Sequence, residues 1–165
     1  MTGLDTPPPL ATRPRFPETH ADVAAELQQL FTDTPMYATL GIRLLHWGPG
    51  WAQLALSTGP ALGNLAGSLH GGATFTLADA AFEVACNSHG RMAVALETTC
   101  HYHHPAPLAE EIRADAWEVA RGGRTASYRL QVSDMDGRVL VSYMALAYRT
   151  SRWHVAADRL PDGWD

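Results

Sequence analysis

The hydrophobic and polar positions divide the chain into an irregular, proline-rich beginning and a long periodic segment. Apolar side chains recur every three or four positions over residues 20–31, which predicts an amphipathic helix. A more apolar run predicts a long helix over residues 71–88. The remaining periodic runs are shorter and predict strands, at residues 42–46, 51–57, 91–104, 109–121, 124–134 and 138–149.

Turn-forming residues indicate how these strands connect. The "WGPG" after residue 46, Gly122-Gly123 and Asp136-Gly137 each predict a tight antiparallel hairpin. We expect the last four strands to form a meander without an intervening helix. A helix that is apolar on nearly all sides must be covered on most of them. The pattern therefore predicts an α+β fold, in which a curved antiparallel sheet of about five to six strands wraps the long helix.

The length of 165 residues is that of one domain. Prolines crowd residues 1–19, so we expect a flexible leader there, a folded domain over residues 20–150 and a C-terminal tail over residues 151–165. The net charge of -5 argues against a nucleic-acid-binding protein. Two cysteines without metal spacing, no apolar run of membrane-spanning length and no signal-peptide pattern favour a cytoplasmic protein that binds no membrane.

A polar stripe crosses the apolar helix. Thr76, Asp79, Glu83 and Asn87 are spaced by three or four residues and share one helix face. Two carboxylates one turn apart repel each other, and partial burial disfavours both charges, so at least one pKa should be raised. The alternative is that this stripe is simply the solvated side of the helix.

His70-Gly71-Gly72 stands immediately before the first turn of this helix. Unpaired N–H groups and the helix dipole favour an anion or a developing oxyanion at such a position. Glycine also lets a substrate approach the backbone closely. The structural alternative is that the two glycines only ease a tight entry into the helix.

Asn64, His70-Gly71-Gly72, Leu77-Ala78-Asp79 and the "AFEVACNSHG" that follows together resemble the PaaI type of acyl-CoA thioesterase, which has the hotdog fold. The resemblance extends from about residue 36 to residue 149. It implies a long helix wrapped by an antiparallel sheet. It also implies homodimers with shared active sites, which pair into tetramers.

The resemblance implies a role for each matching residue. Asp79 matches the general base or nucleophile that acts on the thioester, and Gly71 matches the N–H group that polarises its carbonyl. Asn64 matches the residue that positions water or substrate, and His70 orients the loop. Gly72 is expected to contact the substrate. In such enzymes Asp79 of one chain faces Gly71 and Asn64 of the other.

The resemblance also implies the reaction, which is hydrolysis of an acyl-CoA, with phenylacetyl-CoA or hydroxyphenylacetyl-CoA as the first expectation. No metal or redox cofactor is expected. The sequence departs from the family pattern at two positions. Some relatives carry a serine where this chain has Ala95. The second is Glu83, which we expect to raise the pKa of Asp79 or to contact a polar acyl substituent. The alternatives are a non-catalytic acyl-CoA sensor on the same fold and a hotdog enoyl-CoA hydratase.

Three arginines are candidates for binding CoA phosphates, since a guanidinium forms charge-assisted bonds with phosphate. Arg121 and Arg124 flank a predicted hairpin turn, and Arg91 follows the long helix. "HYHHP" at residues 101–105 carries imidazoles at metal-ligand spacing, but lacks a carboxylate or thiolate partner in a recognised motif. We therefore expect no metal site.

Overall fold

Secondary structure in the computed structural model, which describes residues 6–164, follows the predicted periodicity. There are three α-helices in this part of the chain: α1 (Ala21–Thr32), α2 (Pro35–Leu40) and α3 (Gly71–Asn87). Six strands accompany them: β1 (Ile42–Gly48), β2 (Trp51–Ser57), β3 (Arg91–Tyr102), β4 (Glu111–Arg121), β5 (Thr125–Ser133) and β6 (Val139–Trp153). The six predicted strands and the long helix are confirmed, with ends shifted by at most a few residues. Across residues 6–164, no helix is both long and apolar enough to cross a membrane.

The strands form one antiparallel sheet in the order β1-β2-β4-β5-β6-β3. The three predicted hairpins are present, since β1 pairs with β2, β4 with β5 and β5 with β6. The predicted meander is wrong for β3, which pairs with β6, while β4 pairs with β2. The segment between β3 and β4 contains Pro105 and Pro107 and no two-residue turn, so nothing local closes these strands into a hairpin. As a result, β3 lies at an edge of the sheet.

Helix α3 packs against the inner face of this sheet and forms the centre of the core. Its contacts involve β2, β3, β4 and β5 above all. The small side chains Ala81 and Ala85 are fully buried and let the helix lie close to the strands, while Leu77, Phe82 and Val84 fill the space beside it. The predicted α+β architecture is confirmed, and the sheet wraps the helix as the hotdog resemblance implies.

Both ends of α3 are fixed by local chemistry. His70 is the N-cap residue, and its Nδ1 accepts a hydrogen bond of 2.9 Å from the amide of Gly72. At the other end the amide of Gly90 donates to the carbonyl of Asn87 at 2.9 Å. Gly90 has a φ of +79°, and a Cβ there would lie 2.8 Å from Leu160. Glycine suits this turn, because other residues rarely adopt such a φ and a Cβ would also press on the Leu160 side chain.

Part of the proline-rich leader lies against the sheet. Arg13 is buried, forms an ion pair of 2.7 Å with Asp115 on β4 and lies over the ring of Trp51. The Trp51 indole in turn donates to the carbonyl of Pro14 at 2.7 Å. Long-range polar contacts thus attach this part of the leader to β2 and β4, and the expected flexibility of the leader stays a prediction. The prediction for residues 1–5 lies outside the described residues.

The C-terminal tail, predicted over residues 151–165, begins as the end of β6, which continues to Trp153. Further along, the ring of Trp164 packs on Phe16 with their centroids 4.2 Å apart. The carbonyl of Trp164 accepts a hydrogen bond of 2.5 Å from Arg121. The tail and the leader therefore meet near the turn between β4 and β5. The final residue lies outside the described part of the chain.

Candidate active site

Asp79 and Glu83 share one face of α3 and both line a cavity of about 470 Å³. The helix supplies one wall of this cavity, and the beginning of β3 together with α2 supplies the others. Most of the remaining lining is apolar: Met36, Phe75, Ala80, Phe82, Ala93, Val94 and Ala95. The cavity can therefore hold an apolar group next to two carboxylates.

The environment of Asp79 raises the pKa of its carboxyl above the usual range. Loss of hydration among the apolar walls is the main cause, and the negative charge of Glu83 adds to it. The raised pKa predicted for at least one of the two acids is confirmed for Asp79. A carboxylate with a raised pKa is a stronger base once it has ionised, which suits it to take a proton from water.

The rest of the polar stripe has a structural role. Asn87 is buried, its Nδ2 donates to the carbonyl of Glu83 at 2.9 Å, and its Oδ1 accepts from the amide of Ala93 at 2.8 Å. This side chain therefore attaches the start of β3 to the end of α3. Thr76 donates to the carbonyl of Gly72 at 2.9 Å, within its own helix. Of the four side chains of the stripe, the two acids therefore remain as candidates for chemistry in the cavity.

At the entrance of α3, Gly71 lies beside a second cavity of about 340 Å³. Its amide is at the first helical position and has no hydrogen-bond acceptor among residues 6–164. The ring of Tyr102 lies next to it, since a Cβ at position 71 would be 3.1 Å from that ring. The hydroxyl of Tyr102 donates to the carbonyl of Gly71 at 3.2 Å. This amide is free to bind a carbonyl oxygen.

His70 and Gly72 use their polar groups on each other. The hydrogen bond between them occupies Nδ1 of His70 and the amide of Gly72. With Nδ1 as the acceptor, the neutral ring carries its proton on Nε2. His70 thus stabilises the entrance of the helix, and its expected loop-orienting role stays a prediction. Gly72 borders a third cavity, of about 400 Å³, but its amide is already bonded.

Asn64 lines the same cavity as Gly71, and its amide group organises the loop before α3. Its Nδ2 donates to the hydroxyl of Ser68 at 2.9 Å and to the carbonyl of Leu69 at 3.1 Å. Its Oδ1 accepts from the amide of Ala66 at 2.8 Å. These bonds fix the loop that faces Gly71. Direct contact of Asn64 with water or substrate stays a prediction.

Within one chain, the two halves of the expected site do not meet. Asp79 follows Gly71 by eight residues, a distance of about 12 Å along a helix. The two residues also line different cavities. A single thioester carbonyl therefore cannot touch Gly71 and be attacked by water at Asp79 of the same chain.

Thr98 and Tyr37 lie next to the two acids, and the sequence pattern did not predict that either residue is part of the site. Thr98 lines a small cavity together with Asp79 and Phe75. Thr98 faces the helix because the register of β3 shifts between Ala95 and Glu97. No local residue pattern predicts this β-bulge. Tyr37 comes from the short helix α2, whose sequence carries no sign of a site.

The three candidate arginines lie beyond the C-terminal end of α3 and differ in how they are engaged. Arg121 interacts with Glu118 at 3.5 Å, with Nδ1 of His89 at 3.1 Å and with the tail. Arg91 donates to the carbonyl of Thr150 at 2.6 Å. Arg124 is exposed and forms no ion pair within residues 6–164. Of the three, Arg124 is the most available for a phosphate.

The histidines after β3 point to different partners. His103 lies 2.7 Å from the hydroxyl of Ser142, and Nδ1 of His104 lies 2.8 Å from the guanidinium of Arg138. Within residues 6–164, no group of three or more His, Cys, Asp or Glu side chains is arranged to hold a metal ion.

Residues 66–141 match the family model of the thioesterase superfamily. A curated relative from Archaeoglobus fulgidus is 31% identical over 122 residues, which cover 74% of this chain and 79% of that protein. The chain belongs to the thioesterase superfamily and is a thioester hydrolase.

Two further similarities define the type. The acyl-coenzyme A thioesterase PaaI of Escherichia coli is 29% identical over 110 residues, which cover 67% of this chain and 79% of that enzyme. The structure of the E. coli PaaI protein from the phenylacetic acid degradation operon superposes with a TM-score of 0.75 at 25% identity, covering 79% of this chain and 97% of that one. A substituted form of the phenylacetic acid degradation protein PaaI from Thermus thermophilus has a TM-score of 0.67 at 34% identity, covering 70% and 99% of the two chains. This protein is a hotdog-fold thioesterase of the PaaI type.

Proposed function

We propose that this protein hydrolyses the thioester bond of acyl-CoA, with phenylacetyl-CoA or hydroxyphenylacetyl-CoA as its substrate. The main support is the position of Asp79, a carboxylate of raised pKa at the wall of an apolar cavity of about 470 Å³. Such a cavity accommodates an aromatic acyl group, and the carboxylate reaches its thioester end. The E. coli relative is named as an acyl-CoA thioesterase, which supports the same substrate class.

In the proposed reaction Asp79 takes a proton from water while the water oxygen attacks the thioester carbonyl carbon. The negative charge that develops on the carbonyl oxygen is stabilised by the amide of Gly71 and by the positive end of the α3 dipole. The tetrahedral intermediate then expels CoA as a thiolate, which receives the proton. Direct attack by the Asp79 carboxylate, followed by hydrolysis of the anhydride, gives the same products. Neither route uses a metal or a redox cofactor.

Because Gly71 and Asp79 of one chain are too far apart, we propose that each active site forms between two chains. The edge strand β3 exposes half of Val94 (50%) and more than half of Leu96 (56%). Antiparallel pairing of two β3 strands around a two-fold axis would cover these side chains. It would also give the unpaired N–H and C=O groups of the edge strand hydrogen-bond partners. That arrangement would bring Asp79 of one protomer to Gly71 and Asn64 of its partner. Two such dimers then form the tetramer that the PaaI resemblance implies.

Release of free CoA thiol from purified protein tests the reaction. The panel contains phenylacetyl-CoA, hydroxyphenylacetyl-CoA, benzoyl-CoA and aliphatic esters. Turnover led by the phenylacetyl esters supports the proposal. Binding of the esters without turnover would favour the sensor alternative, and hydration of an enoyl-CoA without thiol release would favour the hydratase. The cytoplasmic location stays a prediction.

Light scattering after size exclusion tests the shared site. We expect a mass of two or four chains for the unmodified protein. Leu96→Glu should shift it towards the monomer and abolish thiol release. A monomer that retains full turnover would overturn the shared site.

A further inference from the structure

The cavity beside Asp79 continues to a second carboxylate. Glu83 lies one helical turn further, about 6 Å along the axis. Its side chain lines both the main cavity and an adjoining one of about 240 Å³. Leu30, Phe31 and Met92 form apolar walls of the adjoining cavity. An acyl group whose thioester lies at Asp79 and whose chain runs towards the end of α3 therefore passes Glu83.

Tyr37 fixes the position of this carboxylate. It is buried on α2, and its hydroxyl donates to Oε2 of Glu83 at 2.7 Å and lies 3.1 Å from the carbonyl of Ala80. Burial and the nearby charge of Glu83 raise the pKa of Tyr37, so the hydroxyl keeps its proton. Oε1 of Glu83 has no hydrogen-bond partner among residues 6–164. One carboxylate oxygen is thus held by the protein and the other is left to a ligand.

The charges around this position are one-sided. Asp79 and Glu83 line the cavity, and none of the described residues that line it is an arginine or a lysine. His154 borders the adjoining cavity, and burial, together with the charge of Arg152, lowers the pKa of its imidazole. The neutral ring lies 2.7 Å from Oδ1 of Asn87. Nothing in this lining neutralises Glu83, so the binding of an acyl group displaces water from a carboxylate whose charge is not paired.

Resting on the thioesterase function proposed above, we propose that Glu83, held by Tyr37, selects acyl groups that carry a hydrogen-bond donor at their far end. A hydroxyl or an ammonium group would donate to Oε1 of Glu83 and replace the lost water. Glu83 is exposed to water in the described chain. An unsubstituted ring that covers it leaves that oxygen without a partner, which is costly once water is excluded. An acyl group that ends in a carboxylate is repelled by the two acids.

The test compares kcat/KM for four CoA esters of phenylacetic acid that differ only at the para position: hydrogen, hydroxyl, aminomethyl and carboxylate. For the unmodified protein we expect the hydroxyl and aminomethyl esters to exceed the unsubstituted ester by roughly 10- to 100-fold, the range of one hydrogen bond to a charged group. The carboxylate ester should be the poorest. Glu83→Ala should reduce these ratios to near one. Glu83→Gln should keep the preference for hydroxyl, since its amide oxygen accepts, and lose that for aminomethyl.

Tyr37→Phe removes only the hydroxyl that holds Glu83, so it should weaken the preferences without abolishing them. Glu110→Gln is the matched control, because Glu110 is exposed and lines none of the cavities described above; it should leave all four ratios unchanged. Equal kcat/KM for the first three esters, or ratios that survive Glu83→Ala, would overturn the selection by Glu83. If no ester is hydrolysed at all, the thioesterase proposal fails instead. The same ratios measured as Kd by calorimetry then decide the role of Glu83 separately.

Discussion

Two groups of charged side chains, one on α3 and one beyond its C-terminal end, differ in how their charges are matched. Near its middle, Asp79 and Glu83 line a cavity without a basic residue among its described lining, and the pKa of Asp79 is raised. Beyond its C-terminal end, Glu118 lies 3.0 Å from Nε2 of His89 and accepts a bond of 3.0 Å from Tyr128. These partners, with Arg121, hold the pKa of Glu118 below its usual range despite its burial.

The difference shows how the same residue type serves two purposes in one fold. A carboxylate surrounded by donors is stabilised in its charged form and connects parts of the chain. A carboxylate that lacks such donors keeps a high proton affinity and an unsatisfied oxygen, which are the properties of a base or a ligand-binding group. Asp79 and Glu83 are therefore the group suited to chemistry, whereas the group around Glu118 holds β4, β5 and the C-terminal tail together.

The largest expected effect is on turnover. Asp79→Asn keeps the size of the side chain but removes the base, so kcat/KM should fall by about 100- to 10,000-fold. The rate of CoA thiol release at saturating and at limiting ester concentrations gives kcat and kcat/KM. Asp136→Asn is the control, because Asp136 lies in the exposed β5–β6 turn. A value within a few-fold of the unmodified protein would remove Asp79 from the mechanism.

The second effect concerns stability. Glu118→Gln removes the charge that His89, Tyr128 and Arg121 surround, so the free energy of unfolding should fall by about 1–3 kcal/mol. Urea unfolding followed by circular dichroism measures this change. The kcat of the folded fraction should stay close to that of the unmodified protein, since Glu118 lines neither cavity beside the acids. A large loss of kcat without a loss of stability would contradict the division between the two groups.

Asp79 should lower the stability of the fold at neutral pH, whereas Glu118 should raise it. The pKa of Asp79 is higher in the folded protein than in the unfolded chain, so its contribution to stability is present at low pH and decreases as pH rises through the folded pKa. Asp79→Asn should therefore raise the midpoint of thermal unfolding at neutral pH although it abolishes activity. The increase should disappear below about pH 4, where the aspartates of the unfolded chain also become protonated. A lower midpoint at pH 7 would show that the carboxylate stabilises the fold.

The smallest effect is on the pH dependence of the reaction. The base must be ionised, so kcat/KM should rise with pH along a limb that lies above the ordinary aspartate range. Glu83→Gln removes the neighbouring charge and should move this limb to lower pH. Because burial is the larger cause of the shift, the limb should not return fully to the ordinary range. An unchanged limb would mean that Glu83 does not influence the titration of Asp79.

Local sequence determined much of the architecture. The long helix follows from its apolar run and its His-Gly-Gly entrance, and the hairpins at Gly122-Gly123 and Asp136-Gly137 follow from turn chemistry. The spacing of Asp79 and Glu83 alone placed both acids on one helix face. These features depend on residues within a few positions of each other, so a single sequence is enough to specify them.

Tertiary structure decided which distant segments meet. Three contacts show this: β3 pairs with β6, Arg13 forms an ion pair with Asp115, and Tyr37 donates to Glu83. The two side-chain pairs join residues that are 102 and 46 positions apart along the chain. Likewise, the sequence presents Arg121 as a candidate phosphate ligand, whereas in the folded chain Arg121 contacts Glu118 and the tail. Such contacts result from competition among all possible partners in the folded chain, whereas helix periodicity and turn chemistry are properties of short segments.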